Sequence, residues 1–217
     1  MTEFENFIES EKARSVVFNI FSALFCQPEK AVIRDQKVFN NLEKSILISY
    51  PDNHGPTSKL FPAAGKFTDT ELLVEYSRLF IGPFKTLAPP YSSVYLGSEN
   101  LVYSEETIWV VQFYRKAGLD FNRDIHDLPD HIAIEMEFIY YLIYHEVSQL
   151  QENNIEKARF FHEHQLEFIQ EHFVKWAPVF CDTILRETNN EYYRSLAESL
   201  RSFIEVDFLQ EFPKESS

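Results

Sequence analysis

A chain of 217 residues with 45% hydrophobic and 16% aromatic side chains can fill one sizeable core, so a single domain over residues 1–217 is expected. The formal net charge of −14 opposes binding to phosphate backbones and favours basic partners, which speaks against nucleic acid. No run approaches the roughly 18 to 20 apolar residues of a membrane span, so no stable membrane insertion is expected.

Glycine is scarce and strand-like alternation is hard to find, while apolar residues recur at helical spacing, so the composition points to an all-α fold. The N-terminus carries acidic residues where a secretory signal would carry basic ones, which predicts a cytoplasmic protein. Cys26 and Cys181 lack CxxC spacing and read as reduced, buried thiols.

Thr2 and Glu5 have capping-box spacing and open a first long helix whose Phe7, Val17, Phe21 and Leu24 share a face, ending before Pro28. A second helix is expected over 29–50, with Phe39, Leu42 and Ile46 on one side, followed by a loop in PDNHGPTSKLFPAAG. Thr68 and Glu71 form another capping box, opening a helix that carries Leu72, Tyr76, Leu79 and Phe80 and stops at Gly82 and Pro83. A proline-rich loop occupies 82–103. From Ser104 a further helix carries Ile108, Trp109, Val111 and Tyr114 and closes at Gly118. After a second loop, Pro129 is placed for a first helical turn, and Ile132, Met136, Ile139, Leu142 and Ile143 sustain the helix to about Glu152. Two or three more helices follow, with Pro178 bending or dividing one, and a short tail begins near residue 212.

The chain contains seven histidines, yet the spacings of helical metal sites are missing. No Glu-x-x-His pair and no HExxH occur, and His162 and His164 of the HEH triplet point about 100° apart. No metal site and no cofactor is therefore expected. His131 and Glu135 share a helix face but read as a surface pair. No serine or cysteine stands in a nucleophile elbow, so no catalytic residue is assigned. The FFHEHQLEFIQEHF stretch reads as a packed face beside a solvated one. Asp130 and His131, at a helix start, read as partly exposed polar groups able to receive a cationic or hydrogen-bonding ligand.

EYSRLFIGP (75–83), PPYSSVYL (89–96) and LPDHIAIEMEF (128–138) together resemble the TorD/DmsD family of chaperones that mature molybdopterin oxidoreductases before twin-arginine export. The similarity extends from about residue 10 to about residue 205. It implies an all-α, TorD-like bundle with the proline-rich loop between central helices, and a protein that is not an enzyme. The implied partner is the precursor of a molybdopterin oxidoreductase catalytic subunit, bound through its twin-arginine leader. By this resemblance leader binding falls on Tyr76, Leu79, Phe80, Pro90, Tyr91, Asp130 and His131. Relatives often carry tryptophan at the positions of Tyr76, Tyr91 and Tyr95; tyrosine keeps the flat apolar face and adds a hydroxyl. An all-α metal-dependent enzyme and a general helical adaptor stay open as alternatives. So does a homo-oligomer that exchanges helices through the connection over 119–130.

Overall fold

Helical spacing of apolar residues from Glu3–Phe25 builds the first helix, α1, of an all-α bundle. The structure, a computed structural model, describes residues 3–52, 55–82, 86–97, 104–120, 127–207 and 211–213. The Thr2 half of the first capping box lies outside them, as do Pro83, residues 121–126 of the second long connection and the tail from 214. Phe7, Val17, Phe18, Phe21, Leu24 and Phe25 of α1 are buried.

The single helix expected over 29–50 is two, α2 (Lys30–Ile33) and α3 (Gln36–Ser49). The break falls at Asp35, whose carboxylate accepts from the Lys37 amide at 2.9 Å and caps α3 instead of continuing the preceding turn. The loop expected next is also more ordered. A 3₁₀ turn at Pro56–Lys59 runs into α4 (Leu60–Ala64), and Leu60, Ala63 and Ala64 are buried. Pro56 pre-sets the first turn, and the i, i+3, i+4 spacing of those apolar residues supplies a face to bury.

α5 (Asp69–Tyr76) opens with the capping box read from Thr68 and Glu71. It passes into a π-helical turn at Ser77–Ile81 that ends where Gly82 takes φ 65°, a conformation that costs a residue with a Cβ. Within the proline-rich segment the chain forms a short helix, α6 (Ser92–Leu96). α7 (Glu105–Lys116) is capped by Ser104 and closed by Gly118 at φ 86°. Its buried face is rotated from the expected one. Val110 and Phe113 are interior, whereas Ile108 is 47% exposed.

α8 (Ile132–Gln151) keeps the expected apolar spine of Ile132, Met136, Ile139, Leu142 and Ile143. Pro129 is not in its first turn: it belongs to the preceding turn, and His131 is the N-cap. α9 (Ile155–Phe168), a π-helical turn at Ile169–Phe173, α10 (Val174–Glu187) and α11 (Glu191–Val206) complete the chain, with Pro178 inside α10 without ending it. α1 packs against α8 and α3, α8 against α9, and α10 against α11. One continuous core runs from Val17 to Ile204. No strand forms among the described residues, and none of their helices is long and apolar enough to cross a membrane.

A buried polar network joins the ends of the chain. The Arg14 guanidinium, 1% exposed, donates to Asp207 at 2.6 and 3.2 Å and to Glu11 at 2.9 Å, and it also bonds Gln165. Tyr50 donates to Asp207, Gln165 to Glu146, and the Glu146 carboxyl meets His162 Nδ1 at 2.8 Å. The stretch containing His162 and His172 thus turns both inward onto buried carboxyls, Glu146 and Glu135.

Burial pushes the Glu146 carboxyl up to about 8 and the Glu11 carboxyl up to about 7, with Arg14 opposing in both cases. Between the usual carboxylate range and those values the folded state binds more protons than the unfolded chain. Stability from these groups is therefore present at acid pH and lost as pH rises toward about 8. Denaturant titrations at several pH values between these limits should show it, and Glu146→Gln should flatten the slope. Replacing Arg14 by Met leaves the Glu11 and Asp207 carboxylates buried without their cation, and should cost about 3–5 kcal/mol in the same titrations.

Candidate functional site

The proline-rich segment and the turn before α8 are zipped together by backbone. Ile132 N donates to Pro90 O at 2.8 Å and Ser92 N to the Asp130 carbonyl at 3.0 Å, and Tyr91 and His131 form an isolated antiparallel bridge. A further bond, Ala88 N to Leu79 O at 2.8 Å, fixes the same segment to the π turn. Proline carries no amide hydrogen, so the segment offers few donors, and the amides of Ala88, Ser92 and Ser93 are committed here.

Asp130 belongs to this zipper and not to a surface. It is wholly buried, and its Oδ2 accepts from the Ser93 amide at 3.0 Å, satisfying a donor at the start of α6. His131, expected to be accessible, is 4% exposed. Its Nδ1 accepts from the Ala133 amide at 3.1 Å, which leaves the proton on Nε2, and Nε2 lies 3.6 Å from Asp127 Oδ2. Burial lowers its pKa, with Asp127 and Asp130 opposing. The ring is a neutral cap. The expectation that this pair stands open at a helix end is overturned, because the proline-rich segment covers it.

Leu79 is fully buried and Phe80 5% exposed, the Phe80 ring packing on Tyr76, Phe180 and Tyr193. Pro90 is buried as well. Tyr76 is 8% exposed, and burial pushes its hydroxyl up to about 12. Tyr91 is half-buried; its ring edge meets His131 at 5.4 Å and its hydroxyl donates to Asp127 Oδ1 at 2.9 Å. Tyr95 faces inward and stacks on Trp176.

The structure thus gathers Tyr76, Tyr91, Asp130 and His131 into one neighbourhood, with Leu79, Phe80 and Pro90 beneath. Asp127 was not singled out by the sequence. Its side chain is 41% exposed and it anchors Tyr91 while approaching His131, four residues on, a spacing that could have signalled it. Cys181 is buried as expected, but Cys26, at the end of α1, is exposed; partial desolvation and then the Glu137, Asp127 and Glu29 carboxylates raise its thiol pKa, which disfavours the thiolate.

Glu135 is a second omission. It does not pair at the surface with His131; it is buried, accepting from Trp176 Nε1 at 2.9 Å and lying 2.8 Å from His172 Nε2. Its place three residues after Ile132 and four before Ile139 put a carboxylate on the apolar stripe, which was the available signal. Among the described residues no cluster of three or more His, Cys, Asp or Glu side chains is placed to hold a metal ion. The neighbourhood offers the half-buried Tyr91 face beside the Asp127 carboxylate, a surface suited to a peptide with apolar and cationic parts.

Comparison with known proteins places this architecture. Residues 52–182 match the model of the nitrate reductase delta subunit family, and the chain belongs to that TorD-like family of chaperones, whose named relatives are not enzymes. It is 24% identical over 206 residues to the chaperone protein TorD of Vibrio parahaemolyticus, covering 89% of this chain and 92% of that one. It is 29% identical over 137 residues to TorD of Aliivibrio salmonicida, an alignment that spans only 62% of that protein, and 25% identical over 149 residues to the Tat proofreading chaperone DmsD of Salmonella typhi, covering 65% of this chain and 64% of that one. The fold is also similar to that of a redox enzyme maturation protein of Archaeoglobus fulgidus, with a TM-score of 0.52 at 20% identity, over 88% of this chain and 93% of that one.

If Asp130 holds the zipper, Asp130→Ala should lower stability by about 1–3 kcal/mol, because the Ser93 amide loses its acceptor in a buried setting. Added salt should not abolish that loss, since a buried contact is weakly screened. Urea titration at low and high ionic strength measures both.

Proposed function

We propose that the protein is a cytoplasmic chaperone that binds the twin-arginine leader of a molybdopterin oxidoreductase catalytic-subunit precursor and assists cofactor insertion before export. The observation that carries this is the half-buried Tyr91, held by Asp127 and His131 where the family-like motifs meet. The names of the relatives, a proofreading chaperone of the Tat route among them, support the same reading.

A leader of this class has a basic start and an apolar middle. The apolar part lies against the ring face of Tyr91, which presents flat area at low entropic cost, and the buried Tyr76 backs the seat. Leu79, Phe80 and Pro90 shape the seat from below, and Asp130 and His131 keep the proline-rich segment in place, a positioning role. The acidic surface adds attraction for the leader's arginines and raises the encounter rate.

Calorimetry of the purified protein against twin-arginine leader peptides should show binding with a negative heat-capacity change. Tyr91→Ala should weaken it by on the order of 2 kcal/mol while leaving the unfolding transition nearly in place. A large drop in melting temperature with unchanged affinity would put Tyr91 in the core and remove it from the site.

A further inference from the structure

The burial of Asp130 leaves a question of charge: a leader carrying paired arginines needs a place for a guanidinium, and the carboxylate first suited to it is sealed beneath the proline-rich segment. A cavity of about 250 Å³ between the end of α7 and the outer side of α8 has the chemistry that Asp130 lacks. Tyr114, Phe138 and Tyr141 form its aromatic walls, Leu119 and Ile134 close its apolar side, and Asp120 and Glu137 contribute carboxylates.

The aromatic walls are fixed. The Tyr114 ring lies 4.4 Å from that of Phe138, and Phe138 stacks with Tyr141 at 6.4 Å and 13°. Both tyrosine hydroxyls are committed elsewhere, Tyr114 to Pro129 O at 2.8 Å and Tyr141 to Ala117 O at 3.4 Å. The polar groups left for a ligand are the two carboxylates. Asp120 makes an exposed contact to Arg115 at 3.5 Å, whereas Glu137 is exposed and has no ion-pair partner among the described residues. Aromatic faces beside a free carboxylate match a flat, weakly hydrated cation better than an ammonium or a neutral side chain.

We propose that this cavity is a guanidinium subsite that takes one arginine side chain of the client peptide, with Glu137 as its counter-ion. The inference rests on the leader-binding reading and adds the place and identity of the cationic contact. The cavity is built on the same elements as the site. Tyr114 is bonded to Pro129 in the turn that carries Asp127 and Asp130, and Ile134 and Phe138 lie on the helix that His131 caps. At 1.5 Å per residue Phe138 is roughly 10 Å along α8 from His131. About three extended residues span that distance, so one peptide can reach Tyr91 and the cavity together.

The test titrates three synthetic leaders, with the arginine pair intact, replaced by lysine and replaced by glutamine, against the parent protein and the Glu137→Gln, Tyr141→Leu and Asp127→Asn variants, with the unfolding transition of each variant recorded. The parent should prefer arginine to lysine and lysine to glutamine. Glu137→Gln should weaken the arginine leader by about threefold to tenfold and the glutamine leader hardly at all. Tyr141→Leu should erase chiefly the preference of arginine over lysine. Glu137→Gln changes an exposed side chain and should leave folding intact, so it keeps the test valid if Tyr141→Leu does not fold. Equal binding of all three leaders by the parent, or an arginine preference unaltered in Glu137→Gln or lost only in Asp127→Asn, would overturn the subsite while leaving leader binding in place. Binding of none of the leaders would remove the leader-binding reading itself, and the subsite with it.

Discussion

The arrangement of the bundle depends on the Arg14 guanidinium being taken out of water and matched there. A buried cation without partners would cost several kcal/mol, so Glu11, Asp207 and Gln165 must come to it, and those residues stand on the first helix, at the end of the last and on α9. Glu146 and His162 extend the chain of bonds through α8. Apolar burial supplies most of the driving force but is non-directional. The polar network adds direction: it fixes which ends of which helices meet, because each missing partner would leave a buried charge.

That constraint reaches the proposed binding site through α8. Glu146 near one end of this helix belongs to the Arg14 network, Glu135 near the other end is held by His172 and Trp176, and His131 caps the start. A helix held at both ends presents Glu137, Phe138 and Tyr141 at fixed positions and gives the proline-rich segment a rigid edge to pair with. The segment has few amide donors and cannot build a sheet of its own; one bridge between Tyr91 and His131, with the Ala88–Leu79 and Ser93–Asp130 bonds, holds it because its prolines have already removed much of its freedom.

Buried ionisable groups therefore serve position more than chemistry. His131 and Glu135 look like a candidate acid–base or metal pair in isolation, yet one is a neutral helix cap and the other a hydrogen-bond acceptor in the core. What the neighbourhood leaves open to solvent is the half-buried Tyr91 ring with the exposed carboxylates of Asp127 and Glu137.

Local signals in the sequence determined much of this. Thr68 with Glu71, Ser104 and Gly118 are punctuation that acts within a few residues, and each did so where it was read. The apolar spine of α8 and the motifs shared with the TorD/DmsD family were equally legible, because periodicity and motif order are properties of the chain alone. The break at Asp35 is equally local, a cap two residues long that the apolar periodicity masked, whereas the rotated face of α7 and the inward course of Glu135, His162 and His172 were not legible. Each depends on which helix lies opposite, and a charged side chain enters a core only when a partner distant in sequence is waiting for it. The same reason separates Asp130 from Asp127. In the sequence they are equivalent carboxylates flanking one turn, and only the segment that crosses over from Pro90 to Ser93 buries the first and leaves the second facing solvent.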